Sequence, residues 1–205
     1  MMMRRLLVMM VGAALCAPGV AAAKSAGASP ALDCSPKTSA VFAAFGDPDL
    51  YWGVPGGGFE AGAAAWTLGG GARVVAGSET FNVAGAGAAS LSLPAASSAT
   101  SPLVCVTAGS PTLRLFLRNT GAGASRLALD VLYTQLDGTP GVLQVATLSA
   151  GSAWQASPVV YYYANLLALF SPSGTTNVAL RLRPLDTSGA WRVDDVYVDP
   201  FKRCC

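Results

Sequence analysis

The chain has 205 residues, of which 12% are charged, and it contains no histidine. The lack of histidine excludes Ser-His-Asp and Cys-His catalytic sites and histidine-ligated metal centres. The formal net charge is +2 and no basic patch stands out in the sequence, which disfavours nucleic acid and anionic membrane surfaces as partners.

Residues 1–23 have the pattern of a secretory signal peptide. Arg4 and Arg5 precede an apolar stretch at residues 6–15, and three alanines at 21–23 offer a cleavage site before Lys24. The stretch is too short for a membrane anchor and no second long apolar run follows, so we expect no membrane span in the mature form. We therefore predict a secreted, extracellular protein. The composition, rich in alanine and glycine, is typical of bacteria.

Four cysteines remain after this cleavage: Cys34, Cys105, Cys204 and Cys205. An exported protein meets oxidising conditions, so disulfides are expected, and four cysteines allow three pairings. We favour Cys34 with Cys105, because adjacent cysteines rarely bond to each other. Cys204 or Cys205 is then left for self-association with another chain, for a bridge to Cys34, or as a free thiol.

The mature chain is predicted to be one β domain. Residues 24–36 are rich in Ala, Ser, Gly and Pro and are expected to form a flexible leader, and residues 37–205 have the size of a single β-sandwich. Residues 164–170 have helical propensity and are expected to form a helical turn. Strands are predicted at residues 64–68, 72–75, 80–83, 89–93, 103–107, 112–118, 127–135, 142–148, 159–163, 178–183 and 191–198.

Alternation of apolar and polar residues is clearest in two of these strands. Leu113, Leu115 and Leu117 alternate with arginines, and residues 178–183 repeat the pattern with Arg181 and Arg183 on the outer face. Strict alternation places one face of a strand on a core and the other in water. The fold class predicted is therefore all-β, an antiparallel β-sandwich.

Two short motifs lie about 130 residues apart. The first is Gly-Gly-Gly-Phe-Glu, ending at Glu60 and followed by Trp66, and the second is Val193-Asp194-Asp195-Val196. With Trp154 between them, these motifs resemble the first, middle and last strands of a galactose-binding-like jelly roll, the fold of many carbohydrate-binding modules. The resemblance spans roughly residues 54–199.

Such modules commonly hold a structural calcium ion between the first and last strands. The resemblance implies Glu60, Asp194 and Asp195 as the matching carboxylates, and calcium takes six to eight oxygen ligands of this kind. In strict alternation Asp195 shares a face with Val193 and Asp194 lies opposite, but a bulge would change this. The alternative is that the two aspartates are solvated edge charges or pair with Arg192.

Carbohydrate binding needs exposed aromatic rings beside polar groups. We predict Tyr51, Trp52 and Tyr162 as ligand-binding residues, because Tyr51 and Trp52 lie in a Pro/Gly-rich loop and neighbouring tyrosines on a strand face opposite sides. The alternative is that these rings are buried in the core. Core positions are expected for the tryptophans that belong to the motifs. The full set of aromatic candidates is Tyr51, Trp52, Phe81, Tyr133, Tyr161, Tyr162 and Tyr163.

The function predicted is a secreted, non-catalytic binding module for an extracellular or cell-wall carbohydrate, with a structural calcium. One alternative is a structural or adhesive cell-surface protein that binds no sugar. A second alternative is a glycosidase that uses two of its carboxylates. The sequence contains no Gly-x-Ser-x-Gly elbow, P-loop or complete Gly-x-Gly-x-x-Gly motif, and the spacing of the acids selects no catalytic pair.

Overall fold

The computed structural model describes residues 32–203. The predicted signal peptide, most of the predicted leader, and Cys204 and Cys205 lie outside the described residues. No helix in the described part is long and apolar enough to cross a membrane. The described elements are two short 3₁₀ helices, Ala43–Phe45 and Tyr163–Phe170, and thirteen strands: β1 Asp49–Gly53, β2 Thr67–Gly69, β3 Arg73–Ala76, β4 Ala89–Leu93, β5 Ser98–Thr100, β6 Val104–Thr107, β7 Thr112–Asn119, β8 Leu127–Thr134, β9 Pro140–Leu148, β10 Gln155–Ala156, β11 Val160–Tyr161, β12 Thr175–Pro184 and β13 Trp191–Arg203.

The strands form two antiparallel sheets. A seven-stranded sheet has the order β10-β7-β13-β4-β3, with β1 added on β13 and β11 on β7. A six-stranded sheet has the order β2-β5-β12-β8-β9, with β6 added on β12. The first and last motifs of the sequence both serve the seven-stranded sheet, whose centre is β13. The predicted antiparallel β-sandwich is confirmed.

The core lies between the two sheets and follows the predicted alternation. Leu113, Leu115 and Leu117 of β7 are fully buried, as are Leu180 and Leu182 of β12. These leucines belong to one apolar cluster, which side chains from both sheets fill. Because the side-chain period of a strand is two, the arginines between these leucines are directed to the outer faces of the sandwich.

A second, smaller aromatic cluster covers part of the outer face of the seven-stranded sheet. Phe42 stacks on Phe116 with ring centroids 5.3 Å apart and meets the ring of Tyr51 edge-on at 4.8 Å. The guanidinium of Arg114 lies 4.3 Å from the centroid of the Phe42 ring and pairs with Asp47 at 2.7 Å. The chain before β1 therefore packs on this sheet.

A disulfide joins Cys34 to Cys105, the pair that the sequence analysis favoured. Cys105 lies on β6, and its neighbours Val104 and Val106 face the core. Because 71 residues separate the two cysteines, the bond ties the segment before β1 to the six-stranded sheet. A loop of this length gives a disulfide a substantial entropic effect on the unfolded chain.

Three elements differ from the sequence-based expectation. The strand predicted at residues 80–83 is wrong: Asn82 has φ +54°, and the carboxylate of Glu79 accepts hydrogen bonds from the N–H groups of Phe81 and Val83, which fold the segment into a turn. The pattern also missed β1 and β5, which are short. The helical segment predicted at 164–170 is confirmed as the 3₁₀ helix Tyr163–Phe170.

Candidate functional site

A β-bulge in β13 determines where the terminal aspartates lie. The pairing of β13 with β7 shifts register between Asp194 and Tyr197, and Asp195 has φ +47°. The inserted residue changes the parity of the strand, so that Val193 and Val196 both face the core. The expectation from strict alternation, in which Asp195 shares the face of Val193, is therefore wrong.

The glycine motif packs directly against this bulge. The N–H of Val54 donates to the carbonyl of Val196 at 2.8 Å, and the N–H of Val196 donates to the carbonyl of Gly57 at 3.3 Å. A Cβ at Gly58 would lie 2.9 Å from Oδ1 of Asp195, so a side chain there would displace the carboxylate. The two motifs, far apart in sequence, thus meet because one provides the bulge and the other the space beside it.

Four carboxylates, which we call the acidic cluster, gather here: Glu60, Glu79, Asp194 and Asp195. Asp194 accepts hydrogen bonds from the hydroxyl of Ser78 at 2.8 Å and from the N–H of Glu79 at 2.9 Å. Glu60 accepts from the N–H groups of Ala88 and Ala89 at 2.9–3.0 Å. No arginine or lysine forms an ion pair with this cluster within residues 32–203.

The acidic cluster raises the pKa values of its two aspartates. Burial raises the pKa of Asp194 to about 6, and its three hydrogen-bond donors only partly oppose this effect. Burial also raises the pKa of Asp195 to about 7, and the charges of Asp194, Glu79 and Glu60 add to the shift. The hydrogen bond that Asp195 makes runs from its own N–H to Asp194, and we find no donor to its carboxylate in the described chain.

The predicted calcium ligands are thus brought to one place, but their carboxylates do not all point at one another. Among residues 32–203, no three His, Cys, Asp or Glu side chains are arranged to hold a metal ion. What fits a cation is the chemistry: oxygen donors of one sign, and a carboxylate on Asp195 that lacks a hydrogen-bond donor. The predicted pairing of the aspartates with Arg192 is wrong, because Arg192 donates to Ala76 and Ser90.

The exposure predicted for the ligand-binding aromatics is wrong. Tyr51, Trp52 and Tyr162 are 1%, 5% and 0% exposed, so none of them offers a ring to a sugar. Trp52 and Tyr162 face the core, and Tyr51 lies in the aromatic cluster, where its hydroxyl donates to Asp47 at 2.8 Å. The Pro/Gly-rich surroundings of Tyr51 and Trp52 suggested a loop, but both residues belong to β1.

The motif tryptophans divide between the core and the surface. Trp66 and Trp191 are 6% and 0% exposed and lie in the core, as expected. Trp154 is half-buried on the outer face of the seven-stranded sheet, where its ring lies 5.3 Å from the guanidinium of Arg118. The core position expected for Trp154 is therefore wrong, because β10 begins only after it.

A groove with exposed rings lies elsewhere, between the β8–β9 hairpin and the second 3₁₀ helix. We call it the hairpin groove. Three adjoining depressions share Leu167, and the largest two have volumes of about 410 and 430 Å³. Tyr163 and Phe170 are each 69% exposed at its edges. The residues lining the groove are Tyr133, Thr134, Gln135, Leu136, Asp137, Leu143, Tyr163, Ala164, Leu167, Phe170, Ser171, Ser173, Thr175, Thr176 and Asn177.

The hairpin groove combines the two features that a sugar site needs. Aromatic rings from the helix lie beside amide and hydroxyl side chains from β8 and β12. The sequence listed Tyr163 and Tyr133 among the candidates but did not single out Phe170. Its signal was the helix itself: a segment of eight residues cannot bury all of its apolar side chains against one sandwich end, so some remain exposed.

Asp130 occupies a different position from the other acids. It is 1% exposed on the outer face of the six-stranded sheet, where it accepts hydrogen bonds from Arg181 at 2.9 Å and Arg183 at 2.8 Å. Although burial acts to raise the pKa of Asp130, these two guanidinium groups outweigh it and hold the pKa below its ordinary value. A carboxylate fixed in this way is a poor general acid.

Comparisons with known proteins agree with this architecture. The chain matches no protein-family model and no curated protein. Among solved structures it is similar to the N-terminal tandem of CBM22 domains from Paenibacillus barcinonensis, with a TM-score of 0.50 and 19% identity over 72% of this chain and 45% of that one. It is also similar to the enzymatically active domain of tailspike protein 4 from bacteriophage CBA120, with a TM-score of 0.50 and 11% identity over 70% of this chain and 20% of that one.

A third similar structure contains the CBM22-1 and GH10 modules of an endo-1,4-β-D-xylanase from Clostridium thermocellum, with a TM-score of 0.48, 18% identity, and coverage of 69% of this chain and 27% of that one. The chain thus spans less than half the length of each of these three proteins. At such identities the likeness shows the fold alone. That fold is the jelly-roll β-sandwich found in carbohydrate-binding modules.

Proposed function

We propose that this protein is an exported, non-catalytic module that binds an extracellular or cell-wall carbohydrate. The observation that carries the proposal is the hairpin groove, in which Tyr163 and Phe170 present exposed rings beside Gln135 and Asn177. Sugars place an apolar face on an aromatic ring, and the neighbouring polar groups fix their orientation. The jelly-roll fold and the carbohydrate-binding modules that share it support the proposal.

The acids of the chain support binding rather than hydrolysis. A glycosidase needs two carboxyl groups on either side of the scissile bond, about 5–10 Å apart. Asp130 is held by two arginines on one sheet, and the acidic cluster lies against β13 on the other. In the described residues, Asp137 is the only acid that lines the hairpin groove. A non-catalytic role follows from this separation.

We further propose that the acidic cluster holds a structural calcium ion. Asp195 and Glu60 would hold it, together with main-chain carbonyl groups of the glycine motif and the bulge. Bound calcium would supply the positive charge that the cluster lacks and so stabilise the contact between the two motifs. The raised pKa values of Asp194 and Asp195 support this proposal, because they arise from carboxylates gathered without a cation.

Binding to a panel of neutral polysaccharides tests the glycan proposal. Xylan, β-1,4-galactan, cello-oligosaccharides and chitin oligomers would be titrated by calorimetry and affinity electrophoresis. We expect saturable binding to at least one of them, weakened about tenfold or more by Tyr163→Ala or Phe170→Ala.

Tyr161→Ala is the matched control. Tyr161 is 53% exposed and only two residues from Tyr163, but it does not line the hairpin groove. Its removal should leave binding unchanged. Equal losses in Tyr161→Ala and Tyr163→Ala would contradict the groove, and the absence of binding across the panel would contradict the proposed function.

A further inference from the structure

Three arginines lie in a line across the outer face of the seven-stranded sheet. The Cα register places Arg192 of β13 opposite Arg118 of β7 on one side and opposite Ser92 of β4 on the other. Arg73 of β3 lies opposite Ser92 in turn. Directly opposed residues on neighbouring strands direct their side chains to the same face. Together with Trp154 beside Arg118, these residues form what we call the arginine row.

No carboxylate neutralises the arginine row. Within residues 32–203 the three ion pairs are made by Arg114, Arg181 and Arg183. Arg192 donates from Nη1 to the carbonyl of Ala76 at 3.1 Å and to the hydroxyl of Ser90 at 3.2 Å. Burial lowers the pKa of its guanidinium, and the charges of Arg118 and Arg73 lower it further.

The acid nearest in sequence does not reach the row. Asp194 lies two residues from Arg192 on the same strand, but its carboxylate is turned toward the hydroxyl of Ser78 and the N–H of Glu79. The positive charges of the row are therefore left to face one another and the solvent.

Arg118 has a vacancy for an acceptor. Its Nε is buried and has no hydrogen-bond partner within the described chain. Its guanidinium lies 5.3 Å from the centroid of the Trp154 ring, which fixes the plane of the group. A planar guanidinium held by a ring and lacking an acceptor is preorganised for an oxyanion, because carboxylate and sulfate oxygens accept its parallel N–H bonds.

We propose that the arginine row binds the anionic groups of an acidic polysaccharide, either uronate carboxylates or sulfate esters. The row crosses strands that lie roughly 5 Å apart, so its charges are spaced along a line, as the repeating charges of a polymer are. Trp154 and Ser92 provide a ring and a hydroxyl between them. The inference rests on the proposed function in one respect: it takes the polymer to be a glycan.

The test compares polymers that differ only in charge. Dextran sulfate, polygalacturonate and neutral dextran would be titrated at low ionic strength against the whole protein. We expect binding of at least one of the two polyanions and none of neutral dextran. The variant Arg118→Gln/Arg192→Gln should weaken polyanion binding by about tenfold or more. Which polyanion binds more tightly identifies the anionic group.

The control removes two positive charges elsewhere. Lys37 and Arg126 are exposed, and neither is part of the row. The variant Lys37→Gln/Arg126→Gln should bind as the unmodified protein does, and the far-UV circular dichroism of both double variants should be unchanged. Equal weakening in both double variants would show attraction to net charge alone and overturn the proposal, as would a lack of polyanion binding.

Two further outcomes separate this inference from other ones. A single-stranded oligonucleotide that binds more tightly than both polysaccharides would overturn the glycan assignment. If Tyr163→Ala abolishes binding of a neutral glycan while polyanions do not bind, the hairpin groove stands and the arginine row fails. If the arginine variant loses polyanions while no neutral glycan binds, the row stands and the groove fails.

Discussion

The two sheets arrange their outer charges in different ways. On the six-stranded sheet, Asp130 is buried between Arg181 and Arg183, and opposite charges satisfy one another within the chain. On the seven-stranded sheet, charges of one sign gather: the acidic cluster has no basic partner and the arginine row has no acidic one. Gathering like charges costs free energy, and an ion of opposite charge recovers it. The comparison teaches that the six-stranded face is complete in itself, whereas the seven-stranded face calls for ligands.

The largest expected effect comes from breaking the complete network. Asp130→Ala would leave two guanidinium groups without their shared acceptor, and removing one partner of a buried ion pair costs about 3–5 kcal/mol. Because the side chains of Arg181 and Arg183 are about one third exposed, water compensates part of this loss. We expect the free energy of unfolding to fall by about 2–3 kcal/mol, measured by urea denaturation.

Asp137→Ala is the control for this experiment. Asp137 is exposed in the β8–β9 hairpin, where it accepts hydrogen bonds from Thr139. Its removal should change the free energy of unfolding much less. Equal losses in the two variants would show that the network around Asp130 contributes no more than a surface hydrogen bond.

The acidic cluster should respond to pH in the direction opposite to a satisfied carboxylate. The pKa values of Asp194 and Asp195 are raised to about 6 and about 7, so the folded protein binds more protons than the unfolded chain between about pH 4 and 7. Without calcium, the melting temperature should therefore fall as the pH rises from 4 to 8. Calcium binds the ionised carboxylates, so the rise that it causes should be larger at pH 8 than at pH 5.

Asp195→Asn separates the two parts of this prediction. It removes one negative charge from the cluster, so the melting temperature in EDTA should vary less with pH and should be higher at pH 8 than that of the unmodified protein. It should also abolish the rise on adding calcium, whereas Asp137→Asn should retain it. A calcium-dependent rise that persists in Asp195→Asn would place the ion elsewhere.

How far the sequence predicts this molecule depends on the kind of feature. The sandwich was predictable because alternating residues such as Leu113 and Leu115 need only local periodicity. The meeting of Glu60 with Asp195 was predictable from the two motifs. The bulge was not, because a positive φ at an aspartate leaves no pattern in one sequence.

Surface sites were harder to predict for a related reason. The arginines of the row are isolated in the sequence, at positions 73, 118 and 192, and only the pairing of four strands brings them into line. Tyr51 and Trp52 were assigned to a loop because prolines and glycines surround them. Their burial depends on pairing with β13, almost 150 residues away, which local composition does not report.

The smallest expected effect comes from giving the arginine row an internal counter-charge. Burial and the charges of Arg118 and Arg73 lower the pKa of Arg192, so Arg73→Glu turns a repulsion into an attraction and makes the row resemble the network around Asp130. Because Arg73 is exposed, the gain in unfolding free energy should be only about 0.5 kcal/mol at low salt and should vanish in concentrated salt. Lys37→Glu makes the same change of charge away from the row, so only the difference between the two variants measures the repulsion. An equal response in both would mean that the sheet holds the arginines apart without strain, and the case for an anionic ligand would then rest on the unpartnered Nε of Arg118 alone.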